Sequence, residues 1–356
     1  MKARGAAVQG GLAALGLMVA YATWQRAPDE RAGDVTVLNL GRGDIQSIHY
    51  DDGQKLVELT LGHGEQEPKV WVHQATRPEV RAAALAAADG GLAALMGKGD
   101  GGSRDAGVLP PSHPPIVPPP PPPDRDLRGN EAAEKLFEEV APLMATRSLG
   151  VLPADKLKEL GLSETKRSLA INARGTRYAF QVASSAGGLG SPYLRSEGEG
   201  RVYVLNESLV NDLDNAASRL VDRRLHELKS EDYDLVRIAA GGKTRELQQK
   251  GGVPPQPGKL YPSGSEKADD FATNWHQKVQ RIAPVELLGK GELPAAGTPQ
   301  VTVRVDYLQK GKPVGFLEMG KAGLEWFGRT EHTAGWVKLS FGADDLAQEA
   351  AKITSG

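Results

Sequence analysis

Apolar and polar positions follow their clearest rhythm between Ser168 and Val221. Leu169, Ile171 and Ala173 alternate with Ala170, Asn172 and Arg174, the period of two expected of a strand with one buried face. Arg174-Gly175-Thr176 supplies a turn, and Tyr178, Phe180 and Val182 alternate as the return strand. Tyr193–Arg195 and Arg201–Leu205 read as two further strands. Asn206 is a helix N-cap candidate, and Leu209, Leu213 and Leu220 then recur at helical spacing. A similar sentence closes the chain. Val301, Val303 and Val305 alternate, Gln309–Lys312 turns, and Phe316-Leu317 returns. Trp326–Arg329 and Trp336–Leu339 follow as strands, and Leu346, Ala350 and Ile353 form a helical stripe. The correspondence predicts an internal duplication.

Earlier in the chain, Val35–Leu40, Ile45–Tyr50, Lys55–Leu61 and Lys69–His73 are predicted strands. Thr76-Arg77-Pro78-Glu79 has the form of a capping box before a helix. Asn130 predicts the start of a helix through Arg147, and Pro153–Leu160 a shorter one. Tyr233–Ile238 opens another sheet with a turn at Gly241-Gly242. Glu266–Ile282 predicts an amphipathic helix burying Ala268, Phe271, Trp275, Val279 and Ile282. The predicted class is α+β, built of duplicated antiparallel β-meanders with helices on one face and preceded by one transmembrane helix.

That leading helix is read from Gly5–Trp24, which carries no charge and follows Lys2 and Arg4. About 20 apolar residues span roughly 30 Å as a helix, enough for a bilayer core. Tyr21 and Trp24 suit the far interface, and the leading positive charge places the bulk of the chain outside the cytoplasm. A bacterial inner-membrane anchor with a periplasmic body is therefore expected. The alternative is a secreted protein cleaved after Ala22, because Ala20-Tyr21-Ala22 has the small-x-small form of a signal-peptidase site.

The predicted division is an anchor over 1–26, a first meander and helix over 27–96, and a Pro/Gly-rich disordered insertion over 97–129. An α/β unit follows over 130–228 and a second half over 229–356. A run of six prolines, Pro118–Pro123, predicts a solvated polyproline rod. It is read as a tolerated loop rather than a ligand for a proline-recognising domain.

A net charge of −2 over 356 residues and few aromatics give no footprint for nucleic acid. The chain has no cysteine, which removes disulfides, thiolate nucleophiles and cysteine metal ligands. Leu160-Gly161-Leu162, the alternation at Leu169–Ala173, the glycine loop before Tyr193-Leu194-Arg195 and the helix leading to Arg223-Arg224-Leu225 together resemble the bacterial domain-of-unknown-function family 4340. The resemblance spans roughly residues 35–240 and rests on apolar patterns and glycines. It implies a membrane-anchored extracytoplasmic protein associated with ABC-type transport or gliding-type auxiliary subunits, and it carries no catalytic residue.

Candidate chemistry is sparse. Gly242-Lys243-Thr244 lacks the earlier glycine of a phosphate-binding loop, since Arg237 stands there, so no nucleotide is expected. His49, His63 and His73 show no metal spacing, and Ser184, Ser185 and Ser191 lack a nucleophile elbow. Asp344-Asp345 reads as a helix N-terminus and Arg42-Gly43-Asp44 as a turn. No catalytic, cofactor or metal set is predicted. The basic connector Arg219–Lys229 exposes Arg219, Arg223, Arg224 and Lys229. Core packing is the plain reading of Trp326, Phe327 and Trp336; as large anchors in an aromatic-poor chain they also form, with Arg329, the candidate partner-binding set. The expected function is an anchored binding or scaffold protein that accompanies a membrane or envelope protein partner. The alternatives are a cell-envelope hydrolase, or a substrate-binding protein using the cleft between the halves.

Overall fold

Alternating side chains build two large antiparallel sheets, one in each half of the chain. A computed structural model describes residues 34–62, 64, 69–84, 86, 123–184, 190–251 and 258–356. In the first half the elements are β1 (Val35–Leu38), β2 (Ile45–Asp51), β3 (Lys55–Leu61), β4 (Val70–Thr76), β5 (Arg125–Arg128), α1 (Glu131–Glu139), β6 (Leu143–Ala145), β7 (Arg147–Val151), α2 (Ala154–Glu159), β8 (Ser168–Ala173), β9 (Thr176–Ala183), β10 (Tyr193–Ser196), β11 (Arg201–Val204), α3 (Glu207–Asp214) and α4 (Ala216–Arg219). The second half holds β12 (Leu235–Ala240), β13 (Lys243–Lys250), β14 (Lys259–Pro262), α5 (Asp270–Arg281), β15 (Pro284–Leu287), β16 (Gln300–Gln309), β17 (Lys312–Ala322), β18 (Glu325–Thr330), β19 (Val337–Leu339) and α6 (Ala343–Ser355).

The first sheet runs β5-β4-β3-β2-β8-β9-β10-β11-β7 and the second β14-β13-β12-β16-β17-β18-β19-β15, while β1 pairs with β6 apart from both. Without β5 the two orders correspond strand for strand. Each half is a three-strand meander, a helix, an edge strand, a four-strand meander and a closing helix. The central hairpins turn alike. Arg174-Gly175 and Lys310-Gly311 have φ of 51° and 74°, and of 50° and 77°, the left-handed pair that a tight hairpin turn requires.

These findings correct the expected class. The chain is mainly β, not α+β: among the described residues, 19 strands in three sheets stand against short helices, the longest spanning 13 residues, Ala343–Ser355. No helix among the described residues is long and apolar enough to cross a membrane. The apolar run at 5–24 lies outside the described residues, as do His63, Ser185 and most of the proline-rich segment.

The largest local departure is the helix predicted through Arg147, which ends at Glu139. Pro142 lacks the donor a helix would need and steers its predecessor out of helical geometry. The chain continues as β6 and β7, so Leu143 is buried in a strand. In α5, Trp275 and Val279 are buried as expected, but Phe271 is 48% exposed. Each half has its own apolar core. Leu136, Phe137, Ile48, Leu59 and Ile171 lie in the first, and Trp275, Val236, Val305 and Met319 in the second. Leu287 on β15 packs against both.

Candidate functional site

The seam between the halves starts at β5, a strand whose sequence, Arg-Asp-Leu-Arg, buries only Leu127. On one side it pairs with β4; on the other it meets the loop that follows β15. The Lys290 amide donates to the Asp126 carbonyl at 3.0 Å. A Cβ on Gly289 would lie 3.1 Å from the Arg125 backbone, so a larger residue here would press the loop and β5 apart. Arg125 clamps the loop through Glu286 and Glu292, each at 2.8 Å.

A second tie lies in the connector after α4. The buried Asp222 carboxylate accepts from Arg224 Nη2 at 2.7 Å and from the Arg224 amide at 2.9 Å, and it meets His332 Nε2 of the second half at 3.0 Å. Burial alone would raise this carboxyl, but the bonds from His332 and Arg224 outweigh it and hold it well below the usual carboxylate range. Thr330 donates its hydroxyl to the Leu225 carbonyl beside it. Asp222, Glu227 and His332 also bring potential metal-ligand atoms within 4.8 Å of one another. The Arg224 guanidinium already spans the Asp222 oxygens, and a dication would have to sit against that charge. The trio therefore reads as an ionic latch between halves.

Between these ties lies a cleft of about 440 Å³, within the size range of small-molecule sites. Tyr50 of β2, Leu56 of β3, Gln74 of β4 and Ala217 of α4 line the first-half side, and Val285 and Leu287 of β15 close it from the second. The cleft is thus apolar with polar punctuation. Besides the Arg125–Glu286 pair, which also lines it, the cleft carries a network of Tyr50, Asp214 and Arg167. The Tyr50 hydroxyl donates to Asp214 at 2.5 Å, and Arg167 donates to both Asp214 oxygens at 2.8 and 2.7 Å. Burial first, and then the bond to Asp214, push the Tyr50 phenol far above its ordinary value. The phenol stays protonated at neutral pH, and the carboxylate oxygens are already engaged. This arrangement supplies neither a nucleophile nor a free base; it shapes a wall.

The sequence-predicted partner set is distributed differently. Phe327 and Trp336 meet in a small buried cluster with Leu288 and Ala322. Trp326 is adjacent to Phe327 on β18, so it emerges on the other face of the sheet, half-buried against the second core with Lys321 over its ring at 5.0 Å. Arg329 stacks on Trp336 at 4.8 Å and pairs with Glu318 at 2.6 Å. Phe327, Trp336 and Arg329 are thus brought together, with both rings inward, and Trp326 stands apart. Among the other candidates, His49 lies within hydrogen-bond distance of Ser47 and Asn172, and His73 contacts Asp126 at 2.7 Å. Ser184 is in contact with Arg167. Gly241-Gly242 forms a hairpin turn, and Asp344 sits in the first turn of α6, paired with Lys321.

The cleft residues Tyr50, Leu56, Gln74, Asp214 and Leu287 were not singled out from the sequence. They come from four separate stretches with no shared motif, and only the corresponding halves hinted at an interface. No protein-family model, curated protein or solved structure matches the chain.

Proposed function

We propose that this is a non-catalytic binding protein of the bacterial cell envelope that holds a ligand in the cleft between its two sheets. The observation that carries the reading is the cleft itself, about 440 Å³ in volume, walled by the first sheet, α4 and β15 of the second half. Its wall offers apolar area, hydrogen-bonding side chains and no activated group, which suits recognition better than bond-breaking. Two ties hold the halves around it, so the walls are positioned before a ligand arrives, and preorganised sites lose less entropy on binding.

The uncharged run at 5–24 and the resemblance to family 4340 support anchoring in the inner membrane with the body outside, beside a transport or envelope complex. Native mass spectrometry of full-length protein released gently from membranes tests the binding reading. A small molecule should accompany the chain and be absent from Ala217→Trp, whose ring would fill the cleft from an exposed position. A bare chain mass for the wild type would sink the proposal, as would a variant that keeps every molecule the wild type carries.

A further inference from the structure

A second pocket, of about 420 Å³, lies on the far side of the connector, where residues 223–230 meet the end of α5 and β16. Four cationic side chains line it: Arg223, Arg224, Lys229 and Arg281. No acidic residue does. Arg224 is engaged by Asp222 and Glu227. Among the described residues, the side chains of Arg223, Lys229 and Arg281 make no ion pair. Three cations without a carboxylate partner around a single concavity form a local positive field.

A second, independent observation concerns the buried groups of this pocket. Tyr307 and His226 both line it. Tyr307 is 1% exposed, and its hydroxyl has no hydrogen-bond partner within the protein. His226 is held through Nδ1 by Glu331 at 3.1 Å, and its Nε2, on the opposite side of the ring, is buried and equally unpartnered. The two rings meet edge to face at 5.4 Å. Buried polar groups are nearly always satisfied, and these two adjoin the unpaired cations. Leu225, Leu228, Ile282 and Pro284 supply apolar wall beside them.

We infer that this pocket is a binding site for a small anion with an apolar body, headed by a phosphate or a carboxylate. Arg223, Arg281 and Lys229 face the anionic head, the Tyr307 hydroxyl and His226 Nε2 complete its hydrogen bonds, and the Leu225, Leu228 and Pro284 surface holds the body. Guanidinium groups suit this task because their donors match the oxygens of either head in pairs. The site is separate from the cleft between the halves, although Arg223 borders both, and it stands whether or not the cleft binds a ligand.

Calorimetry on the full chain with phenyl phosphate, benzoate and inorganic phosphate tests it. At least one of the two aromatic anions should bind, and the tighter one names the head. Arg281→Gln and Lys229→Gln should each weaken that binding by about tenfold or more, the loss expected for one charge-assisted hydrogen bond. Lys55→Gln, which removes a cation of the cleft, should leave it unchanged. Tyr307→Phe should weaken binding without changing its dependence on salt. Failure of both aromatic anions to bind, binding as tight for inorganic phosphate, or affinity indifferent to Arg281→Gln and Lys229→Gln would overturn the assignment.

Discussion

Phe137 and His276 occupy the same place in the two halves, each seven residues beyond its helix N-cap, Asn130 and Asp269. Ile171 and Tyr307 each stand three residues before the left-handed turn of the central hairpin. Their sheet partners are Ile48 and Val236, and Ile45 and Tyr233 lie three residues before those. All eight of the compared residues are buried. One half fills its centre with Ile45, Phe137 and Ile171, and the other with Tyr233, His276 and Tyr307. The same strand order is thus built on an apolar centre once and on a polar aromatic one once. The Tyr233 and Tyr307 rings lie 4.8 Å apart, and His276 is 5.7 Å from Tyr307. A fold does not need polar groups at positions where its counterpart does without them. Their cost in desolvation points to a role in the second half beyond packing.

The sharpest way to break the comparison is to empty one centre at a time. Trp275 is fully buried in the second half, and its indole N–H donates to the Leu346 carbonyl at 2.8 Å. Trp275→Ala should cost about 3–5 kcal/mol, and Phe137→Ala about the same in the first half. In urea, followed by tryptophan fluorescence and far-ultraviolet circular dichroism, each variant should show two transitions, the weakened half unfolding first. A single shared transition in both variants would mean that the halves are one cooperative unit.

The polar centre also makes a prediction about pH. Burial, with a smaller contribution from His226, pushes the His276 imidazole down from 6.5 to about 4. The unfolded chain therefore takes up a proton in this window that the folded chain refuses. Stability should be full above about pH 6.5 and fall as the pH drops toward 4, by roughly 3 kcal/mol in total. His276→Phe copies the first half and should flatten urea midpoints across that window. An unchanged slope would show that another group carries it. The depressed Asp222 carboxyl works in the same direction, but its loss falls at more acidic pH, below the ordinary carboxylate range.

A smaller effect separates the seam from the cores. Asp222→Asn keeps the shape of the latch but removes the charge facing Arg224 and His332. It should cost about 1.5–3 kcal/mol, the range for hydrogen bonds to a charged group. The loss should appear as looser coupling between the halves, read as faster amide exchange at Thr330 and Leu225. Unchanged exchange there would place the stability of the seam at Arg125 instead.

Much of the strand pattern was legible, because a strand with one buried face writes its period into the residues. Leu169, Ile171 and Ala173 are buried in β8, and Val303 and Val305 in β16. The helices were read too generously. Leu136, Val140 and Leu143 keep a helical spacing across Pro142, and the apolar stripe concealed the break. The strand β5 could not be read, with one apolar residue among four; its structure comes from β4 on one side and the second half on the other. The candidate aromatic set combined neighbours that a strand must send to opposite faces. Trp326 and Phe327 were close in sequence and divided by the sheet. The cleft was illegible for a different reason: its walls come from residues as far apart as Tyr50 and Leu287. Setting the two halves side by side in the sequence would have exposed the Tyr233, His276 and Tyr307 substitutions.

The central claim, that the space between two halves of one topology is where this protein binds, is tested most directly by thermal unfolding. Wild type and Ala217→Trp would be compared across a panel of small molecules extracted from bacterial envelopes. A ligand at a hundredfold excess over its Kd should stabilise the wild type by about 2.7 kcal/mol, a rise of several degrees in Tm, and should leave Ala217→Trp unmoved. A panel in which no compound raises the Tm of the wild type above that of Ala217→Trp would contradict the account.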